Sequence, residues 1–201
     1  MVRSYILFIL LILFPFYLHA QFVATGTNNP GVTPTSLVQQ DLVGTGVTIS
    51  NITTNIGAGA DPRQFARFTN ANSALPFSSG IMLCSGFSDD FNNVGNTQTG
   101  FTSLGTGTCM AGGVCGPNDT DLDAIIAPNP SHDAAVLEFD FVPLSDTVRF
   151  RYVMASEEYP EFACATFNDV FAFFLSGPGI VGAQNIAVVP GSTPPLSLIH
   201  I

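Results

Sequence analysis

Between residues 156 and 179 four carboxylates, Glu157, Glu158, Glu161 and Asp169, stand among Tyr159, Phe162, Phe167, Phe171, Phe173 and Phe174. Acids set beside core-forming aromatics need a counter-charge or a set of hydrogen-bond donors, because an unpaired carboxylate in apolar surroundings is strongly disfavoured. The chain supplies few cations: it has no Lys, and its five basic residues are Arg3, Arg63, Arg67, Arg149 and Arg151. Three chemistries fit the cluster. Glu157, Glu158 and Asp169 can act as oxygen ligands for calcium. The same groups can hold a loop by accepting backbone N–H bonds. Glu157 or Glu158 can serve a glycoside hydrolase, which needs two carboxyl groups at a set separation across a cleft. Neighbouring strand residues point to opposite faces, so Glu157 and Glu158 converge only if the chain bends, as Pro160 encourages.

A second acidic set, Asp119, Asp121 and Asp123, alternates along the chain. A curled backbone can bring three such side chains round one calcium ion, but an EF-hand needs Gly at its sixth position and Glu at its twelfth, where this chain has Ala124 and Pro130. The competing reading is a helix N-terminus capped by one Asp with the other two solvated. Nucleophilic catalysis finds little support, since His132 is the one His clear of both termini and no G-x-S-x-G element occurs. P-loop and dinucleotide fingerprints are absent as well.

Arg3 followed by the apolar run from Tyr5 to Leu18 and then His19-Ala20 reads as a secretory signal peptide over residues 1–20, cleaved after Ala20. The run is shorter than the roughly 20 residues that span a bilayer, so no membrane insertion is expected after cleavage. Removing Arg3 leaves four cationic side chains against 15 acidic ones, a formal charge of −11. Nucleic acid is excluded as a partner, because neutralising phosphates requires a basic patch. Cys84, Cys109, Cys115 and Cys164 all lie in the exported part, where disulfides persist. Cys109 and Cys115 bracket a Gly-containing segment suited to a small ring, leaving Cys84 with Cys164; zinc is the weaker alternative, as the spacings match no ligand knuckle.

The elements that must position these groups are short. Residues 21–34, rich in Gly, Pro, Asn and Thr, are expected as a flexible lead-in. Residues 35–43 carry a capping residue and apolar positions at helical spacing, with Gly44 as a stop. Residues 118–126 offer a second short helix with Leu122, Ile125 and Ile126 turned to the core. Strand-like runs fall at 47–53, 64–69, 80–84, 134–142, 147–155, 170–176 and 185–189, the pattern of a mostly-β chain folded as a jelly-roll-like sandwich. A long loop, tied by disulfides, is expected between residues 85 and 130. The runs 134–142 and 147–155 suggest a hairpin. If Val142 faces Thr147, Asp140 meets Arg149 and Glu138 meets Arg151 on one face, while Phe139 meets Phe150 and Leu137 meets Tyr152 on the other. Asn51-Ile52-Thr53 and Asn118-Asp119-Thr120 are glycosylation sequons.

Taken together, the run from Ala134 to Pro143, the Phe150-Arg151-Tyr152-Val153-Met154-Ala155-Ser156-Glu157-Glu158-Tyr159-Pro160-Glu161-Phe162 block and the Phe167-Asn168-Asp169-Val170-Phe171-Ala172-Phe173-Phe174 block closely resemble the bacterial choice-of-anchor L domain. The helix-and-strand start at 37–48, Ser79-Gly80-Ile81 and Asp121-Leu122-Asp123 are similar to it in order and spacing. The resemblance implies a secreted or cell-surface bacterial module without a defined catalytic activity, assigned to residues 35–201. Pro194 to Ile201 departs from the family pattern, and the domain is expected to be truncated at its C-terminus. The function expected is non-catalytic adhesion or matrix interaction with an extracellular protein or glycan, stabilised by calcium. The alternatives are a carbohydrate-binding module, which the absence of Trp weakens, and lastly a glycoside hydrolase-like enzyme.

Overall fold

The computed structural model describes residues 22–70, 75–88, 116–155, 169–189, 191 and 193–195. The described chain is rich in β-structure, with short helices set between antiparallel sheets. The first sheet has three strands in the order β1 (Phe22–Gly26), β3 (Phe65–Asn70) and β4 (Ser79–Leu83). β1 therefore corrects the expectation of a flexible lead-in over 21–34. Its five residues form an antiparallel ladder with β3 from Phe22↔Asn70 to Gly26↔Ala66, and Phe22 stacks on Phe68 with ring centroids 5.2 Å apart. Gly26 ends the strand where the chain passes close to its neighbours, and a Cβ there would lie 2.6 Å from Asn28 Oδ1.

The first helix is present, but it starts earlier than the sequence suggests. Thr33 is its cap, Pro34 supplies the pre-set φ of the first turn, and Ser36 completes a reciprocal capping box. α1 (Pro34–Ser36) runs directly into a π-helical turn, Leu37–Leu42, which closes with Val43 N–H donating to Val38 C=O. The wider turn places Leu37 and Val38 wholly inside. Leu37 packs with Val32, Ala60 and Phe65, and Ile56, Ile81, Leu83, Ala135 and Leu137 close round them. Burying Phe65 alone is worth about 1.5–3 kcal/mol.

β2 (Val47–Thr54) pairs antiparallel with β5 (Leu137–Pro143). Its apolar residues are spaced by two and then by three (Val47, Ile49, Ile52), so a regular strand would turn Ile52 to solvent. The strand bulges instead. Ser50 faces Asp140 but Thr53 faces Glu138, so β2 carries one residue more than β5 across this stretch. Asn51 accommodates the bulge at φ 51°, a conformation that Asn tolerates better than most side chains. Ile49, Ile52, Leu137, Phe139 and Phe141 are then half-buried while Ser50, Thr53, Glu138 and Asp140 face water.

This pairing corrects the expected hairpin. The faces of β5 are as anticipated, but its hydrogen-bonded neighbour is β2, and residues 147–155 form no ladder among the described residues. Glu138 and Asp140 meet hydroxyl and amide donors in place of Arg151 and Arg149: Thr53 Oγ1 donates to Glu138 at 3.4 Å and Asn51 Nδ2 donates to Asp140 at 2.6 Å. Polar neighbours on β2 satisfy the same carboxylates without charge, so the alternation that suggested one partner suits two. A third, two-stranded sheet joins β6 (Phe174–Leu175) to β7 (Gln184–Asn185).

Candidate functional site

The cluster of Asp119, Asp121 and Asp123 is built on α2 (Thr120–Ile126). Asp119 is its N-cap, its Oδ1 accepting from the N–H groups of Asp121 and Leu122. Ser131, buried and eight residues beyond Asp123, ties the helix to the following chain. Its hydroxyl donates to Asp123 Oδ1 at 2.7 Å and accepts from the Asp119 N–H at 2.9 Å, while its own N–H also donates to Asp123. Asn118 Nδ2 completes the set at 2.8 Å. These donors, the Ser131 N–H first and then its hydroxyl and Asn118, hold the Asp123 carboxyl below its ordinary value. The three carboxylates thus divide their work: Asp119 caps, Asp123 clamps, and Asp121 is exposed. No group of three or more His, Cys, Asp or Glu side chains among the described residues is arranged to hold a metal ion.

Of the other acidic cluster, Asp169 is described and half-buried at the start of the segment leading to β6. Glu157, Glu158 and Glu161 lie outside the described residues, as do Cys109, Cys115 and Cys164 and the signal-peptide residues 1–20. Cys84 stands just beyond β4, its Sγ 3.2 Å from the Gly86 carbonyl oxygen.

Arg63 and Arg67 serve acids near the first sheet. Arg63 holds Asp61 through two hydrogen bonds, from Nε at 3.0 Å and Nη2 at 2.9 Å, and lies over the Phe87 ring at 3.5 Å. Those hydrogen bonds lead the lowering of the Asp61 carboxyl from its ordinary value. Arg67 Nη2 lies 3.0 Å from Asp41 Oδ2 and donates to Ser36 Oγ at 3.2 Å, linking β3 to the π-helical turn. The Asp41 contact is close but lacks hydrogen-bond alignment. Burial accordingly outweighs the attraction of Arg67 and raises the Asp41 carboxyl.

The remaining feature is an aromatic face. Phe150 meets Phe173 edge to face with centroids 4.6 Å apart, Tyr152 lies 5.4 Å from Phe171, and Phe171 and Phe173 are 4.7 Å apart. Residues 150 and 152 thus oppose 173 and 171 in antiparallel order. Ile186, whose N–H donates to the Phe173 carbonyl, extends the row on the other side. Much of this face is open to solvent: Val148 is 45% exposed, Phe150 44% and Ile186 40%. Arg149 and Arg151 project from the same segment and are exposed, with Arg151 5.3 Å from the Phe77 ring.

The sequence reading did not single out Ser131, and it took Asn51 only as the start of a glycosylation sequon. Ser131 leaves no local signal because its partners are distant along the chain. Asn51 left one, in the two-then-three spacing of apolar residues round it.

A family model for the choice-of-anchor L domain matches residues 26–201. The chain belongs to this family. As a choice-of-anchor L domain it is a module of a bacterial protein that is extracellular or anchored at the surface. The match opens at the last residue of β1, ahead of the start at 35 expected from the sequence, and takes in both acidic clusters and the aromatic face. No curated protein and no solved structure matches the chain. Among the described residues no helix is long and apolar enough to cross a membrane.

Proposed function

We propose that this choice-of-anchor L domain is a non-catalytic adhesion module, exported by its signal peptide, which engages an extracellular protein or glycan through the face of Val148, Phe150, Tyr152, Phe171, Phe173 and Ile186. The observation that carries this reading is the solvent exposure of that contiguous aromatic and aliphatic surface. Apolar patches on secreted domains mark interaction sites far more often than scattered apolar residues do. Asp119 and Asp123 have a structural part in this reading, since they are engaged in holding α2. A jelly-roll-like sandwich with a disulfide-tied loop is the architecture we propose for the whole domain. Calcium at Glu157, Glu158 and Asp169 is its proposed stabiliser.

Bead-coupled mature module applied to immobilised collagen, mucin and purified cell-wall polysaccharide tests the assignment. Retention on at least one surface, lost in Phe150→Ser and Ile186→Ser variants whose melting is unchanged, is the expected result. Retention indifferent to both substitutions, or none on any surface, counts against the face. The exposed rings also suit stacking on sugar planes, so preferential retention on the polysaccharide favours the carbohydrate-binding reading. Hydrolysis of that polysaccharide, abolished by Glu158→Gln, would replace both readings with the hydrolase.

A further inference from the structure

Residues 148–155 make no backbone hydrogen bond among the described residues, although Phe150 and Tyr152 share one side at the two-residue repeat of an extended chain, their centroids 6.3 Å apart. Such a run of unmet N–H and C=O groups is a template for a further strand. β5 is complementary to it. Its ladder with β2 occupies one edge, and no strand pairs with the other edge among the described residues. Its exposed acids, Glu138 and Asp140, repeat at the spacing of the exposed Arg149 and Arg151. Neither arginine has an ion-pair partner among the described residues, where Arg63 and Arg67 are the paired ones. The match extends to both faces, since aligning Asp140 with Arg149 and Glu138 with Arg151 also sets Phe139 beside Phe150 and Leu137 beside Tyr152. Among the described residues no ladder joins the two segments within one chain: β5 pairs with β2 alone, and the rings of Phe150 and Tyr152 turn to Phe171 and Phe173.

We infer that residues 147–155 pair with β5 of a second copy of this chain, giving a two-fold dimer in which each copy presents its acidic strand to the other's arginine strand. The interface is self-complementary, as two-fold symmetry requires: both ladders form at once, and each fills the open edge of a β5 strand. Arg151 exchanges its exposed contact with Phe77 for a carboxylate. The inference goes beyond the ligand-face reading and does not need it, because the arginines project from the opposite side of the segment to Phe150 and Tyr152.

Charge exchange tests this. One variant carries Glu138→Arg and Asp140→Arg, the other Arg149→Glu and Arg151→Glu. Wild type is expected to sediment as a dimer. Each variant alone opposes like charges at both ladders and dissociates with a constant raised about tenfold or more. Mixed, the two variants restore opposite charges at both ladders, so a heterodimer forms. A hairpin within one chain predicts monomers throughout, with mixing changing nothing, and would overturn the inference. So would a dimer indifferent to both reversals. Amide hydrogen exchange on the unaltered protein needs no variant: protection of residues 148–155 must rise with protein concentration. Protection that is independent of concentration, or absent, excludes pairing between copies.

Discussion

At Asp123 three donors converge on one carboxylate, and two of them come from Ser131. Because Asp123 and Asp61 are both held below the ordinary value of 3.8, the unfolded chain takes up protons first as pH falls. Their stabilisation is complete above that value and disappears as pH drops through the folded-state values. Asp41 is raised, so its contribution has the opposite sign: it is present in acid and lost as pH rises through its folded value. Thermal midpoints are therefore expected to hold from neutral pH to the ordinary carboxylate range and then fall. Asp123→Asn should flatten that fall, and Asp41→Asn should steepen it. At the helix start, Asp119→Ala removes the acceptor for two N–H groups and should lower stability by about 0.5–2 kcal/mol, read from denaturant melts. The alternation of Asp119, Asp121 and Asp123 left helix capping and calcium ligation both open; the structure has Asp119 as the cap, and nothing in the alternation told that Ser131 would bind the third. Hydrogen-bond partners remote in the chain leave no local periodicity.

Helices and most strands were legible as elements, because Leu37, Val38, Ile81, Leu83 and Phe139 mark buried positions by spacing. What escaped was pairing. β1 escaped because Phe22-Val23-Ala24-Thr25-Gly26 is short, small and followed by turn residues, so its strand character comes from the ladder with β3 and the Phe22–Phe68 stack. Removing residues 21–26 should therefore destabilise the module markedly, whereas a chain beginning at Gln21 should melt normally; a comparison of the two midpoints decides whether β1 is part of the fold. The partner of β5 escaped for another reason. Glu138 and Asp140 specify a polar face, and Ser50, Asn51 and Thr53 fit it as well as arginines do. The first helix was displaced in its start, since Thr33 and Thr35 are both capping types and only the Ser36 hydroxyl decides between them. Thr33→Ala should cost about 0.5–2 kcal/mol, and Thr35→Ala much less.

Over the whole molecule the excess of acid is wide, with 15 acidic residues against five basic ones. Family membership explains where such a chain works, and surface acidity suits an exported module. Whether some of that charge gathers a cation is decided by the thermal midpoint of oxidised protein in EDTA and in millimolar calcium. A rise in calcium, removed by Asp169→Asn, is expected from preferential binding to the native state. An unchanged midpoint would assign the acids to capping and surface charge. The bulge in β2 has a reach beyond its own strand. Asn51 is a surplus residue, and excising it would leave Val47, Ile49 and Ile52 at even spacing, with Thr53 still opposite Glu138. The sheet would keep its ladder, give up the Asn51–Asp140 hydrogen bond and lose its local coil, so the curvature of this part of the domain is stored as a count of residues and can be subtracted by a single deletion.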